Sequence, residues 1–175
     1  MHAEGRARAV KLLVLDVDGV LTDGGLYYDA AGNVLKRFDV QDGLGIKVAQ
    51  GVGITVAVIT GLDMPCVNQR IKALGISDYY AGFLDKVECL DTIRKKYNLQ
   101  WHEMAYLGDD WVDLPPMAHV GLPMAVANAL PEVKAKAAFI TVAQGGHGAV
   151  REAIQFILTC RGLLDEAMAR WTKHA

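Results

Sequence analysis

Short, almost unbroken apolar runs recur along the chain at 11–16, 54–60, 104–108, 124–127 and 138–142, separated by stretches with helical spacing. A strand with one wet face alternates apolar and polar residues, whereas a continuous apolar run marks a strand covered on both faces. The pattern therefore predicts an α/β fold, a Rossmann-like three-layer α/β/α sandwich around a parallel sheet. Several runs end in polar residues: Asp16 and Asp18, Thr60, Asp109 and Asp110, and Asn128. Ligands of open α/β sheets bind outside the carboxyl ends of the strands, so these ends predict one shared site.

Between the runs the boundaries are readable. Asp63 ahead of Met64-Pro65 predicts an N-cap with proline in the first turn, and Asp85 with Glu88 three residues on resembles a capping box for a helix over 86–97. Pro115-Pro116 requires any helix begun near Asp110 to be short or to restart. Segments 26–29 and 33–38 flank Ala30-Ala31-Gly32 and predict a β-hairpin inserted after the first acidic motif, too small to be a domain. Gly145-Gly146-His147-Gly148 predicts a flexible loop, and 149–175 a closing helix and tail. One domain is expected over 1–175, with 1–10 flexible.

Composition narrows the function. The 175 residues carry 18 Lys plus Arg against 20 Asp plus Glu, a net charge of −2, with no basic stripe for nucleic acid or an anionic membrane. Cys66, Cys89 and Cys160 form no CxxC pair, so neither a disulfide framework nor a zinc site is expected. The five histidines, His2, His102, His119, His147 and His174, show no ligand spacing. No run reaches membrane-spanning length and no apolar leader follows Met1, which predicts a cytoplasmic protein. Hydrophobic residues at 52% and a mean hydropathy of +0.19 predict that a partner subunit covers apolar surface.

The chemistry is concentrated in three strand ends. Asp16 and Asp18, two residues apart, share a strand face, so one carboxylate can attack while its neighbour moves a proton. Phosphoryl transfer needs a nucleophile, donors for the phosphate oxygens and a cation. Asp16 fits the first, and the Thr60 hydroxyl with nearby backbone N–H groups the second. Lys86 fits the third, although Arg70 or Lys72 also carries the needed charge. Asp16 and Asp109 offer hard oxygen ligands to Mg²⁺.

The order DxDG, strand-end Thr, Lys and GDDxxD resembles the haloacid dehalogenase superfamily of phosphohydrolases. More closely, DVDGVLTDG, FDVQDGLGIK, GDDWVDLPPM, VGLPMAVANA and GGHGAVRE resemble the 3-deoxy-D-manno-octulosonate 8-phosphate (KDO 8-phosphate) phosphatase family, from about residue 11 to 168. The resemblance implies a phosphatase of lipopolysaccharide precursor biosynthesis that lacks a large cap and assembles as a homotetramer, neighbours covering each active site. It makes Asp16 the residue that forms the aspartyl phosphate, and Asp18 the acid and then the base. It also makes the Asp18 carbonyl a Mg²⁺ ligand beside Asp16 and Asp109, with Asp110 and Asp113 supporting the metal. Thr60 and Lys86 would hold the phosphoryl group, and Gly61 would contact the substrate. Asp39, Val40, Gln41, Asp42, Gly43, Lys47 and Arg70 would join Asp18 in contacting the sugar phosphate.

Two departures stand out. The family usually has Arg where this chain has Leu62, and VRDG where it has Val40-Gln41-Asp42-Gly43. Both remove positive charge near the expected substrate carboxylate, so a nine-carbon keto-acid sugar 9-phosphate or another small ester is the alternative substrate. Two non-enzyme readings compete: a receiver-type phosphoacceptor, opposed by the acidic pair's place on the first strand, and a regulatory subunit.

Overall fold

The computed structural model describes residues 2–172. His174 and the last residues of the expected tail lie outside the described residues. Among the described residues, one six-stranded sheet runs in the order β5-β4-β1-β6-β7-β8, every neighbouring pair parallel. Its strands are β1 (Leu12–Leu15), β4 (Thr55–Thr60), β5 (Asp78–Ala81), β6 (Met104–Gly108), β7 (Leu122–Ala125) and β8 (Phe139–Ile140). The four residues of β1 are fully buried, as a strand inside a double-covered sheet must be. Helices α1 (Ala3–Ala7), α2 (Val40–Gly51), α7 (Ala149–Arg161) and α8 (Leu164–Thr172) pack together, and α4 (Lys86–Lys96) packs on α5 (Leu114–His119). These groups flank the sheet as outer layers. α3 (Pro65–Leu74) and α6 (Pro131–Lys134) complete the helices.

The register builds the site. Leu15 pairs with Val58 on one side and Leu107 on the other, so the chain beyond β1 emerges level with the ends of β4 and β6. Asp16, Thr60 and Asp109 therefore converge although they are far apart in sequence. A short hairpin, β2 (Tyr27–Tyr28) with β3 (Val34–Leu35), follows the first acidic turn, and a Thr22–Phe38 bridge closes its base. The strap 145–148 presses on that turn. A Cβ on Gly145 would lie 1.6 Å from the Gly19 carbonyl oxygen, so no other residue fits there.

Several sequence expectations are corrected. β5 is missing from the apolar runs because it is an edge strand of sequence DYYA, mostly half-buried and opened by an Asp. Residues 3–7 form a helix where flexibility is expected; Ala7 and Val10 are fully buried and α1 packs on α7. Met64, not Asp63, is the N-cap of α3, with proline in its first turn, and Asp63 instead accepts from the Asn68 side chain. Asp85 does cap α4, through the Val87 N–H. The closing helix is two helices, interrupted at Gly162 in the left-handed region at φ 68°.

Candidate active site

At the carboxyl ends of β1, β4 and β6 an open cavity of about 290 Å³ is lined by Asp16, Asp18, Thr60, Gly61, Lys86 and Asp109, with Leu62, Asp110 and Val112 also on its wall. Lys86, the first residue of α4, is buried, and its ammonium lies 2.9 Å from Asp16 Oδ1 and 2.7 Å from Asp113 Oδ1. Burial pulls that ammonium down, and the two carboxylates outweigh it, leaving its pKa raised. Lys86 is therefore a fixed cation, not a solvated helix charge.

Asp113 organises the far side. Its Oδ1 also accepts from the Tyr106 hydroxyl at 2.7 Å, and its Oδ2 from the N–H groups of Asp109 at 2.9 Å and Asp110 at 3.3 Å. Asp110 and Asp113 form a capping box around the 3₁₀ turn Trp111–Asp113, the Asp110 carboxylate accepting from the Trp111 N–H. This local chemistry sets the β6 exit and leaves Asp109 facing the cavity. Gly19 lies opposite at φ +81°; a Cβ there would lie 2.1 Å from Asp109 Oδ2, so glycine is what allows the two loops to meet.

The donor set fits a hard divalent cation. Carboxylate oxygens of Asp16, Asp109 and Asp113 lie within 4.8 Å of one another, and Asp109 Oδ1 is buried with no hydrogen-bond partner. Burial and the neighbouring carboxylates push Asp109 up to about 8. Burial and Asp113 push Asp16 up to about 7 against the pull of Lys86. Crowded carboxylates with an orphaned oxygen are a site short of positive charge, and Mg²⁺ prefers such oxygens. Asp113 already accepts four hydrogen bonds, so Asp16 and Asp109 are the available side-chain ligands.

Comparison with known proteins agrees with this chemistry. A family model of haloacid dehalogenase-like hydrolases matches residues 75–154. The 3-deoxy-D-manno-octulosonate 8-phosphate phosphatase KdsC of Salmonella typhi is 42% identical over 166 residues, 95% of this chain and 88% of that protein. The chain belongs to the KDO 8-phosphate phosphatase family. A haloacid dehalogenase superfamily (subfamily III A) hydrolase structure from Legionella pneumophila superposes with a TM-score of 0.95 at 43% identity, covering 98% of this chain and 94% of that one. The phosphatase of Moraxella catarrhalis, solved with magnesium, phosphate and KDO, superposes with a TM-score of 0.93 at 37% identity, covering 97% and 98%. Family membership removes the receiver reading. Among the described residues the fold carries a small hairpin and no large cap.

Within one chain, the expected substrate residues divide. Asp18, Gly61 and Lys86 line the cavity; Asp39, Val40, Gln41, Asp42, Gly43, Lys47 and Arg70 do not. Asp39 is the N-cap of α2, accepting from the N–H groups of Gln41 at 2.7 Å and Asp42 at 3.3 Å, while Arg70 donates to its carbonyl at 3.0 Å. Gly43 packs so closely on Arg70 that a Cβ would lie 2.3 Å from the guanidinium, and a Cβ on Gly75 would lie 3.2 Å from Lys47 Nζ. Val40 is exposed. Asp42 is buried and accepts from Gly148 N–H at 3.3 Å and Arg151 N–H at 2.8 Å, so it ties α2 to the start of α7. In the single chain its two oxygens each accept a backbone amide, and it does not line the cavity.

Sequence reasoning missed the basic pair just beyond the hairpin's return strand, Lys36 and Arg37. Lys36 Nζ lies 2.5 Å from Asp18 Oδ1, and Arg37 donates to the Gly146 carbonyl and sits 3.3 Å from His147 Nδ1. The available signal was two adjacent cations in a segment returning to an acidic turn. Tyr106, on β6, was also missed because its hydroxyl meets Asp113 only after folding.

Proposed function

We propose that this protein hydrolyses KDO 8-phosphate to KDO and inorganic phosphate with Mg²⁺, through an aspartyl phosphate on Asp16. The observation that carries the reading is a carboxylate held by a buried lysine at a cavity mouth, beside an acidic partner whose inner oxygen has nothing to bind. Asp16 attacks phosphorus, and the bond from phosphorus to the sugar oxygen breaks. Asp18 gives that oxygen a proton. It then takes a proton from the water that attacks the acyl phosphate, releasing phosphate and the Asp16 carboxylate. Thr60, buried at the end of β4, Gly61 and Lys86 face the transferring group from the cavity wall. A bound divalent cation supplies the charge that keeps Asp16 and Asp109 ionised and offsets the phosphate dianion. Asp110 and Asp113 hold the Asp109 loop from behind.

The same reading makes the chain one cytoplasmic domain over 1–175 that works as a homotetramer. Exposed Leu26, Tyr27, Tyr28 and Leu35 on the hairpin, and Met168 and Trp171 on α8, support the assembly. None of the described helices is long and apolar enough to cross a membrane.

The test is a substrate panel of KDO 8-phosphate, nine-carbon keto-acid 9-phosphates, hexose phosphates and an aryl phosphate, with Mg²⁺ and with excess EDTA. KDO 8-phosphate should give the highest kcat/KM, and EDTA should abolish turnover reversibly. Preference for a nine-carbon ester would transfer the reading to that substrate, and turnover insensitive to EDTA would end the metal assignment. Sedimentation at micromolar concentration should give a tetramer; a fully active monomer would refute it.

A further inference from the structure

We propose that Lys36 is a positioning residue for Asp18, holding one carboxylate oxygen so that the other transfers the proton. The proposal rests on Asp18 being the acid of the reaction above, and it concerns a residue outside the strand-end motifs.

The carboxylates of the site are held very unequally. Asp113 accepts four hydrogen bonds and Asp16 is fixed by Lys86. Asp18 follows the end of β1, its side chain is 32% exposed, and among the described residues its carboxylate has one hydrogen-bond partner, Lys36 Nζ at 2.5 Å. A carboxyl group free to turn spends little time aimed at its target, and proton transfer depends steeply on that aim. Lys36 removes the freedom. Its own side chain is wholly withdrawn from solvent, which an ammonium tolerates only with a partner. The contact is thus a built one, unlike a surface ion pair.

The hairpin is anchored around it. Phe38 bridges to Thr22, and Arg37 binds the strap at Gly146 and His147, the strap itself lying against the turn that carries Asp18. Lys36 thus approaches on a segment fixed immediately beyond it. An ammonium donates hydrogen bonds and accepts none, so it occupies Oδ1 as a donor and leaves the proton of Asp18 to Oδ2. One cation sets both the orientation of the acid and the oxygen it uses.

Asp18's proton matters in proportion to how poor the leaving group is, which separates this role from simple packing. The experiment measures kcat/KM, which reports steps through leaving-group departure, for KDO 8-phosphate and for aryl phosphates of graded phenol acidity. It compares wild type, Lys36→Met, Lys36→Arg and Arg37→Met, with thermal melting of each. Lys36→Met should lower kcat/KM on the order of 10²-fold for the sugar ester and within about threefold for the most acidic phenol, steepening the leaving-group dependence. Lys36→Arg should restore part of the loss and, if Lys36→Met does not fold, carries the test through an intermediate slope. Arg37→Met, which loosens the strap and keeps the ammonium, should shift all esters by one factor. Equal losses on every ester in Lys36→Met, or none, would overturn the proposal. A steepened slope in a protein that ignores KDO 8-phosphate would uphold Lys36 while overturning the substrate, and a wild type inert to every ester would overturn both.

Discussion

Two buried carboxylates are used in opposite ways. Asp16 is 5% exposed and Asp42 1%, and burial raises both, to about 7 and about 6. Asp42 meets backbone N–H groups of α7, so its oxygens are satisfied by the fold. Asp16 meets a lysine, a cavity and two further carboxylates, one of which has an orphaned oxygen. Depth and a displaced pKa therefore do not distinguish a carboxylate open to ligands from a structural one in this molecule; what the oxygens touch does.

Neutralising one member of the open cluster should cost the most activity. Asp16→Asn should lose ~10⁴-fold or more in kcat, as removal of a nucleophile does, while melting as a folded protein. Initial rates at saturating substrate check it, and retained turnover would move the nucleophile elsewhere. Asp109→Asn should abolish stabilisation by Mg²⁺, read as a melting shift with and without the ion, and lower turnover by ~10²-fold or more. Without metal the same substitution should stabilise the protein, because it removes repulsion among buried carboxylates. The sign follows from linkage: Asp109 at about 8 binds its proton more tightly than in the unfolded chain at about 3.8. Metal-free wild type should therefore lose stability as pH rises from about 4 to about 8, and Asp109→Asn should flatten that slope.

Much of this contrast was readable before folding. Buried parallel strands announce themselves as unbroken apolar runs, and the strand-end polar residues Asp16, Asp18, Thr60 and Asp109 line one cavity because sheet topology brings carboxyl ends together. What was not readable depends on who meets whom. Lys36 and Tyr106 carry no motif of their own, and each acquires its partner through a tertiary contact, Lys36 to Asp18 across the hairpin and Tyr106 to Asp113 across the β6 exit. Asp42 belongs to the same motif as Asp39, yet its oxygens face amides over a hundred residues later. The edge strand β5 and the first helix escaped because neither has a sustained apolar period.

On the satisfied side the expected effect falls on stability. Asp42→Ala leaves the Gly148 and Arg151 N–H groups without their acceptor, a helix-start loss of about 1–2 kcal/mol. Denaturant midpoints should drop, while kcat/KM of the folded enzyme stays within about threefold of wild type. Because folding raises Asp42 to about 6, its ionisation costs the folded state stability as pH rises from about 4 to about 6; the alanine variant lacks that component. A KM raised more than about tenfold at an unchanged midpoint would return Asp42 to the substrate-binding set and dissolve the contrast.

The smallest expected effect tests where the open cluster ends. Leu62 sits on the cavity wall at 49% exposure, so a longer side chain there can reach out over the mouth without displacing core atoms. Leu62→Arg places a guanidinium on that wall, and one charge-assisted bond to a substrate carboxylate contributes roughly 1.5 kcal/mol, about tenfold in kcat/KM. That bond forms remote from phosphorus and is made alike in ground and transition states, so the gain should appear in KM with kcat little changed. An aryl phosphate without a carboxylate serves as the control and should not benefit. Gain on both esters would show that the new charge acts on the phosphoryl group itself, extending the electrostatic cluster to position 62. Gain on neither would place the substrate's carboxylate beyond reach of this wall.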